Sequence, residues 1–207
     1  TYNYTWAVTV ATAGGTWTAT VTATDTGGNT DLEMFTLCVN PCQITGVVQL
    51  EGFIGTGTVP APNQRLVNFV ATDGVNVLKT WMLDLTFTVG TAASGGVANY
   101  TLTDVPAGTT HLSAKTDWNK RRRQAVALDP GCQGVADFTG AVQLAGGDIT
   151  GDNIVNLADY SLLVSHWLEL VSGVPAAAVA DMNGDDAVNF LDYVILGANW
   201  FSVGDPQ

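Results

Sequence analysis

Asp148-Ile149-Thr150-Gly151-Asp152-Asn153-Ile154-Val155-Asn156-Leu157-Ala158-Asp159 returns 33 residues later as Asp181-Met182-Asn183-Gly184-Asp185-Asp186-Ala187-Val188-Asn189-Phe190-Leu191-Asp192. The likeness runs on past these twelve residues: Tyr160 answers to Tyr193, Leu163 to Leu196 and Trp167 to Trp200. Oxygen-bearing side chains fall at positions 1, 3, 5, 9 and 12 of each stretch. A twelve-residue loop needs that spacing to wrap a hard cation with six or seven oxygens at about 2.3–2.6 Å, position 7 lending its backbone carbonyl. At positions 1, 5 and 12 each loop brings three carboxylates, enough to take the charge of one Ca²⁺ to about −1. Mg²⁺ is a poorer match, because it gives up water reluctantly and demands a tight octahedron. Beyond each loop the apolar residues follow 3,4 spacing: Leu157, Tyr160, Leu163, Val164, Trp167 and Leu168, then Phe190, Tyr193, Val194, Ile195 or Leu196, and Trp200. The spacing predicts one amphipathic helix after each loop. No helical pattern precedes the first loop, which is entered through Gly146-Gly147.

A duplicated unit of one loop and one helix, spanning residues 147–203, resembles a dockerin domain, the calcium-dependent docking module of secreted bacterial assemblies. The resemblance implies two Ca²⁺ ions. The first would be held by Asp148, Thr150, Asp152, Ile154 through its carbonyl, Asn156 and Asp159. The second would be held by Asp181, Asn183, Asp185, Ala187 through its carbonyl, Asn189 and Asp192. It further implies a cohesin-like protein partner, read by Leu157-Ala158 and Phe190-Leu191 just before position 12. These pairs are apolar where the best-known cellulosomal dockerins carry hydroxyls, so a scaffold of that type is not the expected partner. Thr150 stands where Asn or Asp is usual, so the first site is expected to be weaker or wetter. Position 6 holds Asn153 and Asp186 instead of Gly; both tolerate a left-handed backbone, at some cost. Without metal, two clusters of carboxylates beside a small core are expected to leave this region loosely folded.

Outward from the repeat, the charge is uneven. The chain has 207 residues and a formal charge of −12, with seven Lys and Arg against 19 acids. Residues 1–123 hold all seven basic side chains and eight acids, whereas 124–207 hold eleven acids and no Lys or Arg. All 27 Thr lie at or before Thr150, and Thr favours strands. A Thr-rich β part therefore precedes an acidic part of different construction. Such a charge disfavours nucleic acid, whose binding depends on basic side chains that neutralise phosphates. No apolar run is long enough to span a bilayer as a helix. The aromatic content, six Trp, five Tyr and seven Phe, argues against disorder.

Within residues 5–39, Trp6, Val8 and Val10 alternate with polar residues, as do Trp17, Ala19, Val21 and Ala23 with the intervening threonines. Period 2 predicts strands with one buried face, a turn over Asp25-Thr26-Gly27-Gly28-Asn29, and a returning strand from Glu33 to Val39. The run from Gly15 to Asp25 resembles the closing hairpin of bacterial immunoglobulin-like domains. Only about three strands fit here against about seven in that fold, so an incomplete sheet is expected, with an edge open to strand addition. Strand-like runs at 44–51, 65–72, 76–89, 97–103, 109–115, 124–128 and 135–144 predict a second β module. Its stretch from Asn99 to Thr109 resembles the carboxypeptidase-regulatory-like β-sandwich family, whose members usually serve as non-catalytic spacers. The expected architecture is mainly β, with β-sandwich modules at 1–40 (partial) and 41–146. A small α-helical dockerin-like domain of duplicated calcium loop-helix units follows at 147–207.

Cys38, Cys42 and Cys132 make an odd count. Cys42–Cys132 is the favoured pair, tying the first and last strands of the middle module, with three reduced thiols as the alternative. The chain opens on Thr1 without a leader, as expected of a processed secreted protein or a piece of a longer one; Asn3 and Asn99 fit the N-glycosylation pattern. Lys120-Arg121-Arg122-Arg123 reads as a solvated strand or loop, or as a contact for the acidic segment. His111 and His166 have no accompanying nucleophile motif, and most of the clustered acids are accounted for as metal ligands, so catalysis is not expected. Trp81 and Trp118 read as core or rim aromatics, with a sugar-stacking platform as the sharper alternative. Three functions follow: an extracellular attachment module, a subunit that assembles head-to-tail into a fibre through other copies of itself, and a carbohydrate-binding module associated with a polysaccharide or cell surface.

Overall fold

The computed structural model describes residues 3–6, 15–24, 30–39, 41–57 and 63–207. It is mainly β, with two short α-helices near the C-terminal end. At the N-terminal end, β1 (Asn3–Trp6), β2 (Gly15–Thr24) and β3 (Thr30–Val39) form an antiparallel sheet in the order β1-β2-β3. β2 and β3 pair without a break from Gly15↔Val39 to Thr24↔Thr30. Val8, Val10 and the turn expected at 25–29 lie outside the described residues.

Two further sheets follow. β4 (Cys42–Leu50), β7 (Gly96–Val105) and β10 (Gln133–Val135) make one, in the order β10-β4-β7. β5 (Gln64–Thr72), β6 (Val77–Thr86), β8 (His111–Lys115) and β9 (Arg122–Ala125) make the other, in the order β6-β5-β8-β9. All the pairings are antiparallel except that of β10 with β4. Alternation puts Ile44, Val48 and Leu50 of β4, Tyr100 and Leu102 of β7, and Val67, Phe69 and Ala71 of β5 into one common core. Fully burying such a side chain contributes about 1.5–3 kcal/mol. Cys42 and Cys132 are joined by a disulfide across 90 residues of sequence.

Two strands run differently from the sequence pattern. The expected strand at 124–128 begins earlier, at Arg122, because Ser113 and Ala114 of β8 pair with Arg123 and Arg122. The expected strand at 135–144 shortens to β10 and single bridges, Val48↔Phe138 and Leu50↔Leu144, around a 3-10 turn at Gly140–Val142. Gly140, at φ 58°, breaks the extended run there.

The helical region holds α1 (Leu157–Ser165) and α2 (Phe190–Ala198), and α2 meets the β region at Ile195, against Gly52 and Gly146. Each helix starts on a capping box: Asn156 with Asp159, and Asn189 with Asp192. The 33-residue repeat persists in the backbone. Left-handed φ values recur at Gly151 and Gly184, at Asn153 (72°) and Asp186 (75°), and at Leu168 (65°) and Phe201 (57°). Both helices stop short of the apolar pattern because the chain turns at Leu168 and Phe201 to pair with the opposite loop. Leu170 bridges Ala187 and Val203 bridges Ile154. Ile149, Val155, Leu163, Val188, Ile195 and Leu196 form a second core. The seam with the sheets is tight: a Cβ on Gly146 would fall 2.3 Å from Ile195 Cγ2.

Candidate cation loops and docking face

Position 1 of each loop organises the turn that follows it. Asp181 Oδ1 accepts the N–H groups of Gly184 (2.9 Å) and Asp185 (3.2 Å), and Oδ2 accepts that of Asp186 (3.1 Å). Asp148 Oδ2 accepts Asn153 N–H at 3.0 Å. Position 12 closes the loop. Asp192 Oδ1 takes Met182 N–H (2.9 Å) and Asn183 N–H (3.2 Å), and Oδ2 takes Asn189 N–H (2.9 Å). Asp159 does the same for Thr150 N–H (2.9 Å) and Asn156 N–H (2.8 Å). Asp148, Asp159 and Asp192 are fully buried, as is Asn183.

Chemistry in the loops favours a cation. Burial pushes the Asp148, Asp181 and Asp192 carboxyls up, Asp192 to about 7. Asp148 Oδ1 is buried without a hydrogen-bond partner, the position an oxygen takes when it is left for a metal. The position-5 carboxylates instead turn onto the backbone: Asp152 Oδ1 accepts Ile154 N–H (2.9 Å) and Asp185 Oδ1 accepts Ala187 N–H (3.1 Å). Asp185 also accepts Asn183 Nδ2 at 3.0 Å, and Thr150 donates its hydroxyl to Asp159 at 3.0 Å. Asn156 and Asn189 spend Oδ1 on the helix N-termini, accepting Ala158 and Leu191 N–H at 2.7 Å. Among the described residues no three His, Cys, Asp or Glu side chains gather closely enough to hold a metal alone. A bound cation therefore draws on amide, hydroxyl and carbonyl oxygens as well. The residues present fit a hard, oxygen-ligated ion.

The helices leave most of their apolar face in solvent. Of the apolar positions at 3,4 spacing in α1 only Leu163 is buried, and in α2 only Ile195 and Leu196. Leu157 is 65% exposed, Phe190 63% and Leu191 40%, and Ala158 is exposed too. Tyr160, Val164, Trp167, Phe190 and Tyr193 line an open groove of about 390 Å³. Tyr160 meets Tyr193 and Trp200 edge-on, with centroids 6.3 and 6.0 Å apart. Exposure keeps Leu157, Phe190 and Leu191 out of the core.

The basic run turns out to be the seam. Lys120 is buried, its Nζ 2.5 Å from Ser202 Oγ. Arg121 N–H donates to Asn153 Oδ1 at 2.7 Å, and Arg123 N–H to Asp205 Oδ2 at 2.9 Å. Position 6 of the first loop thus supplies a side chain that glycine lacks. The second loop is held likewise, Ile54 and Gly55 donating to Asn183 O at 2.7 and 3.0 Å, and Gly57 to Gly184 O at 2.8 Å. Glu51 accepts both Asn199 Nδ2 (2.5 Å) and Gly146 N–H (3.0 Å). Sequence reasoning missed Glu51, Arg65 and Lys115, which stand alone in strand or loop sequence and carry no motif. Trp81 and Trp118 are engaged separately. Trp81 donates to Thr103 O (3.1 Å), and Trp118, beneath the Arg65 guanidinium, donates to Val179 O (3.0 Å).

Residues 146–199 match the dockerin type I domain family. The match supports a dockerin domain at the C-terminal end of this chain. No curated protein matches the chain. Among solved structures, the chain is similar to one from an N-terminal interface mutant of a type II cohesin-X-dockerin complex of Acetivibrio cellulolyticus. The TM-score is 0.54 at 18% identity, covering 79% of this chain and 97% of that one. A C-terminal interface mutant of the same complex gives a TM-score of 0.53, again at 18% identity with coverage of 79% and 97%. At that identity the likeness is one of fold. At 79% of this chain the match spans more than residues 146–199, so it takes in part of the β region.

Proposed function

We propose that this chain is a non-catalytic extracellular attachment protein whose dockerin region binds a cohesin-like protein in a calcium-dependent manner. The observation that carries the reading is the exposed apolar and aromatic face of α1 and α2, with a groove lined by Tyr160, Trp167, Phe190 and Tyr193, in the segment that matches the dockerin family. A soluble surface rarely leaves such a patch uncovered without a partner. Asp148, Thr150, Asp152, Ile154, Asn156 and Asp159 would hold one Ca²⁺, and Asp181, Asn183, Asp185, Ala187, Asn189 and Asp192 a second. When bound, calcium supplies the positive charge that the buried carboxylates call for and fixes the starts of both helices. The sheets at 41–146 serve as a β-sandwich support, clamped to both loops. Surface plasmon resonance against immobilised cohesins of both types, in calcium and in EDTA, tests this. Calcium-dependent binding to at least one cohesin is expected; no binding to any under calcium sinks the reading.

A second reading, head-to-tail assembly into a fibre, draws on the N-terminal sheet. Among the described residues β3, ten residues long, pairs only with β2, leaving an edge for a strand from another copy. Electron microscopy in calcium and after chelation separates the two, filaments that lose order favouring the fibre.

A further inference from the structure

The two loops differ in what stands on their position-1 carboxylates. Lys115, at the end of β8, places its ammonium directly on Asp148 Oδ2, with the lysine side chain 14% exposed and the aspartate wholly buried. A second proton of that ammonium goes to Asn119 O at 3.1 Å, so the lysine is held from its own side as well. Asp148 Oδ1 beside it is left with no hydrogen-bond partner. In the second loop both oxygens of Asp181 are taken by backbone N–H groups. Arg65 is the cation that acts on Asp181, with its guanidinium 4.6 Å from the centroids of the Phe53 and Trp118 rings; Lys79 and Lys120 are engaged elsewhere, on Asp104 O at 2.9 Å and on Ser202 Oγ at 2.5 Å. Position 3 is turned onto a loop carboxylate in both, Thr150 on Asp159 and Asn183 on Asp185, so the difference lies at position 1.

We infer that the Lys115 ammonium is a built-in counter-cation of the first loop, competing with Ca²⁺ for Asp148 and making the two loops unequal. This rests on the calcium reading of the loops given above. A divalent ion and an ammonium cannot share one buried carboxylate at contact distance without strong repulsion. Ca²⁺ therefore enters the first loop only as Lys115 leaves, whereas in the second loop the backbone N–H groups hold Asp181 and the Arg65 guanidinium acts on it through space. The second loop fills first, and the first follows at higher free calcium. The surface around α1 thereby becomes the calcium-graded part of the docking face.

Calorimetric titration of Ca²⁺ into the stripped full chain tests the inference, with Lys115→Met and Lys115→Arg alongside. Two unequal sites are expected in the unsubstituted protein. Lys115→Met is expected to tighten the weaker site about tenfold or more, the scale on which ligand charge tunes such loops, and Lys115→Arg to leave it weak. Two sites that stay unchanged in Lys115→Met overturn the lysine role while leaving the calcium reading intact; no calcium uptake by any of the proteins overturns both. Acylation of lysines in the unsubstituted chain, read by mass spectrometry, decides the matter even if Lys115→Met does not fold. Labelling of Lys115 relative to Lys79 is expected to rise severalfold once calcium saturates the first loop. Equal labelling with and without calcium counts against displacement.

Discussion

Asp181 and Asp192 are carboxylates kept where burial disfavours their charge, Asp192 being pushed up to about 7. In the calcium-free protein the folded state therefore holds protons that the unfolded chain, near pH 4, gives up. With folded values raised above unfolded ones, that contribution is complete below about pH 4 and is lost as pH rises through about 7. Thermal melts in EDTA should show a Tm that climbs as pH falls from 8 to 5; calcium should remove the trend by taking over the proton's role. A Tm in EDTA that falls over the same range would contradict the assignment. Asp181→Ala should abolish calcium binding in the second loop, because it removes the proposed position-1 ligand and the acceptor of three N–H groups at once. Calorimetry would show one site lost.

At the scale of elements, α1 and α2 illustrate how a 3,4 pattern can be read in two ways. It predicts an apolar stripe, but not what covers it. Leu196 faces inward and is fully buried, while Phe190 of the same helix is 63% exposed. Leu196→Ala should cost about 2–5 kcal/mol in denaturant unfolding. Phe190→Ala should stay within about 0.5 kcal/mol of the parent yet weaken cohesin binding by about tenfold or more, as loss of an aromatic anchor does. If Phe190→Ala destabilised the fold as much as Leu196→Ala, the exposed groove would not be a docking face. The helix starts were legible because the 3,4 spacing opens at Leu157 and Phe190, and the structure adds the capping boxes of Asn156 with Asp159 and Asn189 with Asp192 there. Their ends were not. Leu168 and Phe201 adopt left-handed backbone without glycine, held by pairing with the opposite loop.

For the whole molecule, the sheets and the helical region share hydrogen bonds through both loops, through Glu51 and through the basic run. Calcium binding should accordingly stabilise the β region as well. Scanning calorimetry is expected to show one cooperative transition for the described 41–207 region in calcium. In EDTA this should split into two, the helical region melting first. Reducing Cys42–Cys132, which closes 90 residues, should lower stability by about 2–5 kcal/mol in guanidinium titrations.

Sequence alone determined the repeated stretches, the helix starts and the largely β construction, because these depend on spacing within a dozen residues. It also located the acidity in the last part of the chain, where no Lys or Arg is present. Tertiary structure decided what those features meet. The run Lys120-Arg121-Arg122-Arg123 lies in a seam instead of a solvated surface, and Lys115 reaches Asp148 from 33 positions away. Tyr160, Tyr193 and Phe190 remain uncovered although their spacing suits a core. Local patterns record periodicity and chemistry; which surfaces are brought together depends on how distant segments pack.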